Sequence, residues 1–169
     1  MKALVQTTLA AVFCLILASV AWGASPKFGI VDFQRVVQNS KAGKAAKAEI
    51  EQKGKAMEAE LKTKGQDLEN QKKRLEAEAQ VMTKEVKEEK ARAFQSQVND
   101  FNQLQRSYAN DFKRFEVEKL KEIQDAVTGL LEQIAKKEGY AIIFERSRVL
   151  YFQDALDLTD KLIQLYDKQ

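Results

Sequence analysis

The stretch GKAAKAEIEQKGKAMEAELKTKG, residues 43–65, has the composition of a helix, yet it carries a glycine at every eleventh position: Gly43, Gly54 and Gly65. Each interior glycine costs a helix about 1 kcal/mol relative to alanine, so the fixed spacing needs a reason. The segment reads as units of eleven: GKAAKAEIEQK, GKAMEAELKTK and GQDLENQKKRL. The fourth residue of each unit is apolar (Ala46, Met57, Leu68). The eighth is Ile50, then Leu61, then Lys72, where the pattern weakens. Glycines and apolar positions thus alternate by three and four, which places them on one helix face. The glycines lie on the apolar seam.

A bulky seam follows later in the chain, with Phe101, Leu104, Tyr108, Phe112, Phe115 and Ile123 at helical spacing. Residues 34–138 contain no proline and are dominated by Ala, Glu, Lys, Gln and Leu. A single helix of that length would run about 150 Å. Apolar runs with strand character lie at both ends, and a lone short strand cannot hold, so they must meet. The helix therefore folds back, and QVMTKE, residues 80–85, is the place: Thr83 can cap a new helix and Glu85 faces its positive end. The expected result is an antiparallel helical hairpin with arms about 65 Å long. In that register Phe101 faces Gly65, Phe112 faces Gly54 and Ile123 faces Gly43. The missing side chains then form sockets for large ones. The glycines can also simply loosen the arm, and both readings can hold. An eleven-residue period, about 3.67 residues per turn, predicts a seam that runs nearly straight or slightly right-handed.

The ends have a different texture. KFGIVDF, residues 27–33, reads as a strand. YAIIFE (140–145) and RVLYFQ (148–153) read as two strands of a hairpin joined through a short polar link. DLTDKLIQLYDK, residues 157–168, reads as a short amphipathic closing helix with Asp157 as its N-cap. At the start, Lys2 precedes an apolar run, Leu9 to Ala21, and then small residues, so residues 1–23 read as a secretory signal cut after Ala21 or Gly23. An uncleaved anchor is the competing reading. Export implies the periplasm or secretion.

The composition excludes more than it assigns. The chain has 169 residues, no histidine, and a single cysteine, Cys14. Histidine is the commonest general base and metal ligand, so its absence removes both. Without Lys2 the chain has 27 basic and 25 acidic residues, a net +2 against +3 for the whole sequence. That near balance argues against a nucleic-acid binder. Gly54-Lys55 is followed by Ala56, so no phosphate loop is present. The many carboxylates sit at helical spacing beside lysines and read as solvated helix-face charges. No enzyme, cofactor or metal site is expected. Around the reversal, Val81 and Met82 offer apolar contact, and Lys84, Lys87, Lys90 and Arg92 form a basic group. These could touch a client chain, anionic lipid or lipopolysaccharide, or serve only as a solvated face balanced by Glu85, Glu88 and Glu89.

The order of these pieces resembles the Skp/OmpH family of periplasmic chaperones. The strongest likeness lies in KFGIVDFQRVVQNSKAGKAA and in GYAIIFERSRVLYFQDALDLTDKLIQLYDK. The resemblance implies a mostly α chain with a small β part: a homotrimer whose short strands build a β-body from which three helical arms project. Residues 24–38 and 139–169 would supply the body, with Ile30, Ile142, Phe144, Val149 and Tyr151 in it. Residues 39–138 would form the arm. It also implies an ATP-independent holdase that keeps unfolded outer-membrane proteins in a cavity between the arms. Members of the family are often strongly basic, which this chain is not. A structural coiled-coil spacer or envelope tether, with no client, is the alternative.

Overall fold

The computed structural model describes residues 26–169; the expected signal segment lies outside them. Strand β1 (Lys27–Val31) leads into a short helix α1 (Phe33–Asn39). Helix α2 (Lys41–Glu78) climbs the arm and α3 (Lys84–Glu138) returns. Strand β2 (Tyr140–Glu145) follows at once, and helix α4 (Thr159–Tyr166) closes the chain. At about 1.5 Å per residue, the 38 residues of α2 span about 57 Å.

Local chemistry accounts for each corner. Asp32 caps α1, its Oδ1 accepting the Arg35 N–H at 2.9 Å. Ser40, fully buried, ends α1 and caps α2 by accepting the Gly43 N–H at 3.0 Å. The chain reverses at residues 79–83, where Thr83 caps α3 and Glu85 lies in its first turn. Gly139 ends α3 in the left-handed conformation (φ 73°), a backbone state that favours glycine, and its N–H reaches the Ala135 carbonyl at 2.9 Å. That one residue turns the chain from α3 straight into β2.

The two strands pair in parallel, Phe28 opposite Ile142 and Ile30 opposite Phe144. The other side of β1 is met by the segment ahead of α4, where the Leu158 N–H donates to the Ile30 carbonyl at 2.8 Å. The core sits at the root of the arm. Val31, Val36, Val127, Leu130, Ile134 and Leu162 are buried together there.

Three expectations need correction. Residues 148–153 form no strand and no hairpin with β2. Residues 146–148 and 154–156 are 3₁₀ turns, and the stretch between them pairs with no strand among the described residues, with Tyr151 83% exposed. β2 spends one edge on β1, and the polar link coils instead of turning back. Gly43 does not owe its smallness to Ile123. A Cβ there would lie 1.8 Å from the Val37 carbonyl oxygen, so the backbone of α1 crosses α2 at this point. Lastly, α4 begins two residues after Asp157, although Asp157 Oδ1 still accepts the Thr159 N–H at 2.8 Å.

The crossing gives a sharp expectation. Gly43→Ala collides with main chain that cannot rotate away, and should cost about 2–3 kcal/mol or more. Gly129→Ala, in α3 where a Cβ meets nothing within 4 Å, should instead gain about 0.5–1 kcal/mol. Thermal melts of the two variants, followed by circular dichroism, should move in opposite directions.

Candidate functional site

Two surfaces invite function: the sheet at the root and the arm with its tip. β2 has β1 as its only strand neighbour among the described residues, so its far edge is open. Ile143 packs on the core, whereas Ile142 (47%) and Phe144 (43%) are exposed on the opposite face. Phe28 lies beside Phe144, with ring centroids 6.5 Å apart. Farther along, Leu150 is fully exposed next to Tyr151, and Val149 is half-buried with an extended backbone (φ −119°, ψ 122°). Of the residues expected in the β-body, only Ile30 is buried within the chain. Phe28, beside Phe144, and the exposed Leu150 were not among the expected residues. Their signal is that each sits among the apolar residues of a run already read as strand.

A charged network holds the root. Arg35 bridges Asp157 at 3.2 Å and also pairs with Asp160. Arg146 lies 3.7 Å from Asp32. The Asp32 N–H donates to the buried Thr159 hydroxyl at 2.9 Å. Burial pushes the Asp157 carboxyl up, but the Thr159 hydroxyl and amide, with Arg35 and Arg146, outweigh it and hold the group below the usual carboxylate range. The closing helix is also tied to the arm: Asp167 accepts the Lys41 N–H at 2.7 Å, and Lys161 pairs with Glu138.

Along the arm, the Phe112 ring lies 3.2 Å from where a Gly54 Cβ would be, and the Phe101 ring 3.6 Å from that of Gly65. Polar contacts join the two helices: Glu49 to Lys119 at 2.9 Å, Glu60 to the Tyr108 hydroxyl at 2.5 Å, and Glu78 to Lys90 at 2.9 Å. Lys53 sits over the Phe115 ring at 4.2 Å. The Glu60 hydrogen bond raises the Tyr108 hydroxyl above its usual range. At the tip Val81 is 87% exposed and Met82 half-buried. Lys90 and Arg92 are engaged by Glu78 and Glu88; Lys84 and Lys87 are exposed and form no ion pair among the described residues. No acidic cluster suited to a metal occurs among the described residues, and none of their helices is long and apolar enough to cross a membrane.

Comparison with known proteins agrees with this architecture. The sequence matches the family described as "Outer membrane protein (OmpH-like)" over residues 27–166. The chain belongs to the OmpH-like family. No curated protein matches it. Among solved structures, it is similar to a Caulobacter crescentus CB15 protein described as an outer membrane chaperone (OmpH-like). The TM-score is 0.79 at 22% identity, covering 86% of each chain. The shared fold is therefore the OmpH-like one, a long helical hairpin on a short two-stranded sheet.

Two measurements probe these surfaces. Gly54→Leu must displace the Phe112 ring and should lower the melting temperature by several degrees, about 1–3 kcal/mol of overpacking. Lys55→Leu, on the exposed side, should leave it nearly unchanged; equal effects would remove the socket. Because the folded Asp157 value is depressed, its contribution is present above the ordinary carboxylate value and fades as pH falls through the folded one. Asp157→Asn should therefore lower the melting temperature at pH 7, and the gap to the parent should close as pH drops below about 4.

Proposed function

We propose that this OmpH-like chain is an ATP-independent periplasmic holdase. It works as a homotrimer that keeps unfolded outer-membrane proteins in a cavity between its arms. The observation that carries the reading is the pairing of a long, charged, two-helix arm with an unfinished sheet. Two strands are too few for a stable independent sheet. An open edge flanked by exposed apolar side chains is a template for another strand. The run Val149–Gln153, which joins no sheet among the described residues, suits that role when supplied by a neighbouring copy, so three chains complete one body from the same parts. The description of the Caulobacter protein as a chaperone supports the role.

The arm supports the same reading. A holdase needs many weak contacts and no deep pocket, and several arms around one space provide them through multivalency. Val81 and Met82 are the apolar contacts at the tip, and Lys84 and Lys87 are the unpaired basic ones that can meet acidic client segments or anionic lipid. Lipopolysaccharide contact is secondary, because the charge is nearly balanced. No catalysis, cofactor or nucleic-acid partner belongs to this function. The apolar N-terminal segment supports export with cleavage.

The test is rapid dilution of a urea-unfolded outer-membrane β-barrel into buffer with and without the purified protein. Light scattering should be suppressed near stoichiometric trimer, and a mere spacer would leave it unchanged. Sedimentation equilibrium should find trimers, and Tyr151→Asp should weaken association about tenfold or more, as loss of an aromatic anchor does.

A further inference from the structure

Between the Gly54 socket and the tip, the two helices of the arm enclose a shallow cleft of about 410 Å³. Pockets that hold small ligands measure about 300–1,000 Å³. Leu68, Phe101 and Leu104 supply its apolar lining, and all three are only half-buried. Asp67 from α2 and Asp100 from α3 stand exposed on its two sides. Elsewhere on α2, Glu51, Glu69 and Glu78 each have a lysine within 2.9 Å. Asp67 and Asp100 form no ion pair and no hydrogen bond among the described residues. Lys64, the cation in the lining, lies 3.8 Å from Glu60 outside it. The neighbouring clefts carry other charges. Towards the tip, Lys72, Lys87 and Lys90 outnumber Glu76, and at Gly54 one Glu58 balances one Lys62.

We propose that the mid-arm cleft binds basic, aromatic-bearing stretches of an unfolded polypeptide, taking an arginine or lysine together with its apolar neighbour. The stem of such a side chain matches the apolar lining while its charged head reaches the two carboxylates. A guanidinium near the Phe101 ring gains further. A purely apolar segment would cover Asp67 and Asp100 without giving them a partner, which costs free energy, and an acidic one would be repelled. Gln71 and Gln97 also line the cleft and bring amides able to bond an extended backbone. One arm thus offers an acidic cleft at its middle and a basic one at its tip, and a chain of mixed charge is held at both. That this polypeptide is an outer-membrane client rests on the function proposed above. The preference of the cleft does not.

Fluorescence anisotropy with labelled, unstructured Gly-Ser peptides on the purified protein tests it. A peptide carrying Arg-Phe pairs should bind, and its counterparts with citrulline for Arg, Glu for Arg or Ser for Phe should bind about fivefold more weakly or worse. Asp67→Asn with Asp100→Asn should lose about fivefold for the Arg-Phe peptide and no longer separate it from the citrulline one, with the melting temperature unchanged. Glu118→Gln with Glu132→Gln, the same charge change outside the cleft, should bind as the parent does. Benzoylphenylalanine in place of Phe should attach on illumination to residues 64–71 or 97–104. Equal binding of the Arg and citrulline peptides overturns the proposal. So does equal weakening by both double variants, or attachment confined to residues 79–95. Displacement of the peptide by spermidine at equal concentration would mean a bare cation site and overturns it too. Failure of the barrel-dilution test with the peptide results intact would count against the proposed function alone.

Discussion

The parallel pairing of β1 with β2 is the constraint on which the rest of this chain depends. Parallel neighbours cannot be joined by a tight turn. Here the connection is the whole arm, which leaves β1 through α1 and returns through α3. The return must end beside its starting point, and β2 must then run in the direction of β1. Gly139 performs the second task within one residue, through a left-handed backbone that most side chains disfavour. Ser40 and Gly43 perform the first, by turning α1 into α2 so closely that main chain meets main chain. The arm can vary in length only if both helices change together.

Given that constraint, the seam must hold two long helices in register with little apolar surface. α3 has four buried residues, Ile123, Val127, Leu130 and Ile134, all in its last third. Farther out, contact rests on half-buried rings over glycines and on charged ties exposed to water. Exposed ion pairs contribute about 0–1 kcal/mol each. Their value here is registration: a one-residue slip would set Glu60 away from Tyr108 and move Phe112 off Gly54. Glycine thus serves two different purposes at one spacing. At Gly43 it admits a backbone, and at Gly54 and Gly65 it admits a ring.

The hairpin and its reversal were legible because they rest on local signals. A proline-free run has helical composition, Thr83 can cap, and a rod of that length with strands at its ends has to return. The aromatic and glycine spacings could be counted for the same reason. The role of Gly43 could not, because nothing in its neighbourhood announces that Val37 will lie across it. The run 148–153 misled for a related cause. Val149, Leu150 and Tyr151 have strand composition, but the chain bends at Leu150, and a strand exists only beside a partner. Composition reports the propensity and says nothing of whether the partner belongs to the same chain. The parallel sense of the sheet was likewise invisible, since it depends on which way Gly139 sends the chain.

Burial in this molecule falls steeply from root to tip. At the root, β1, β2, α1, α3 and α4 converge, Val36 and Leu162 are sealed from water, and even the polar Ser40 and Thr159 are fully buried and bonded. Along the arm, each residue has one neighbouring helix and solvent on its other sides. A body built this way can be rigid while its arm opens locally, because the two depend on different contacts. The exposed Phe28, Phe144 and Leu150 add a further condition. Left uncovered, they would make the root itself the sticky part of the molecule. In the proposed trimer, association would bury them and leave only charged helices and a small apolar tip exposed, so that the arm would touch other chains weakly without the root joining them.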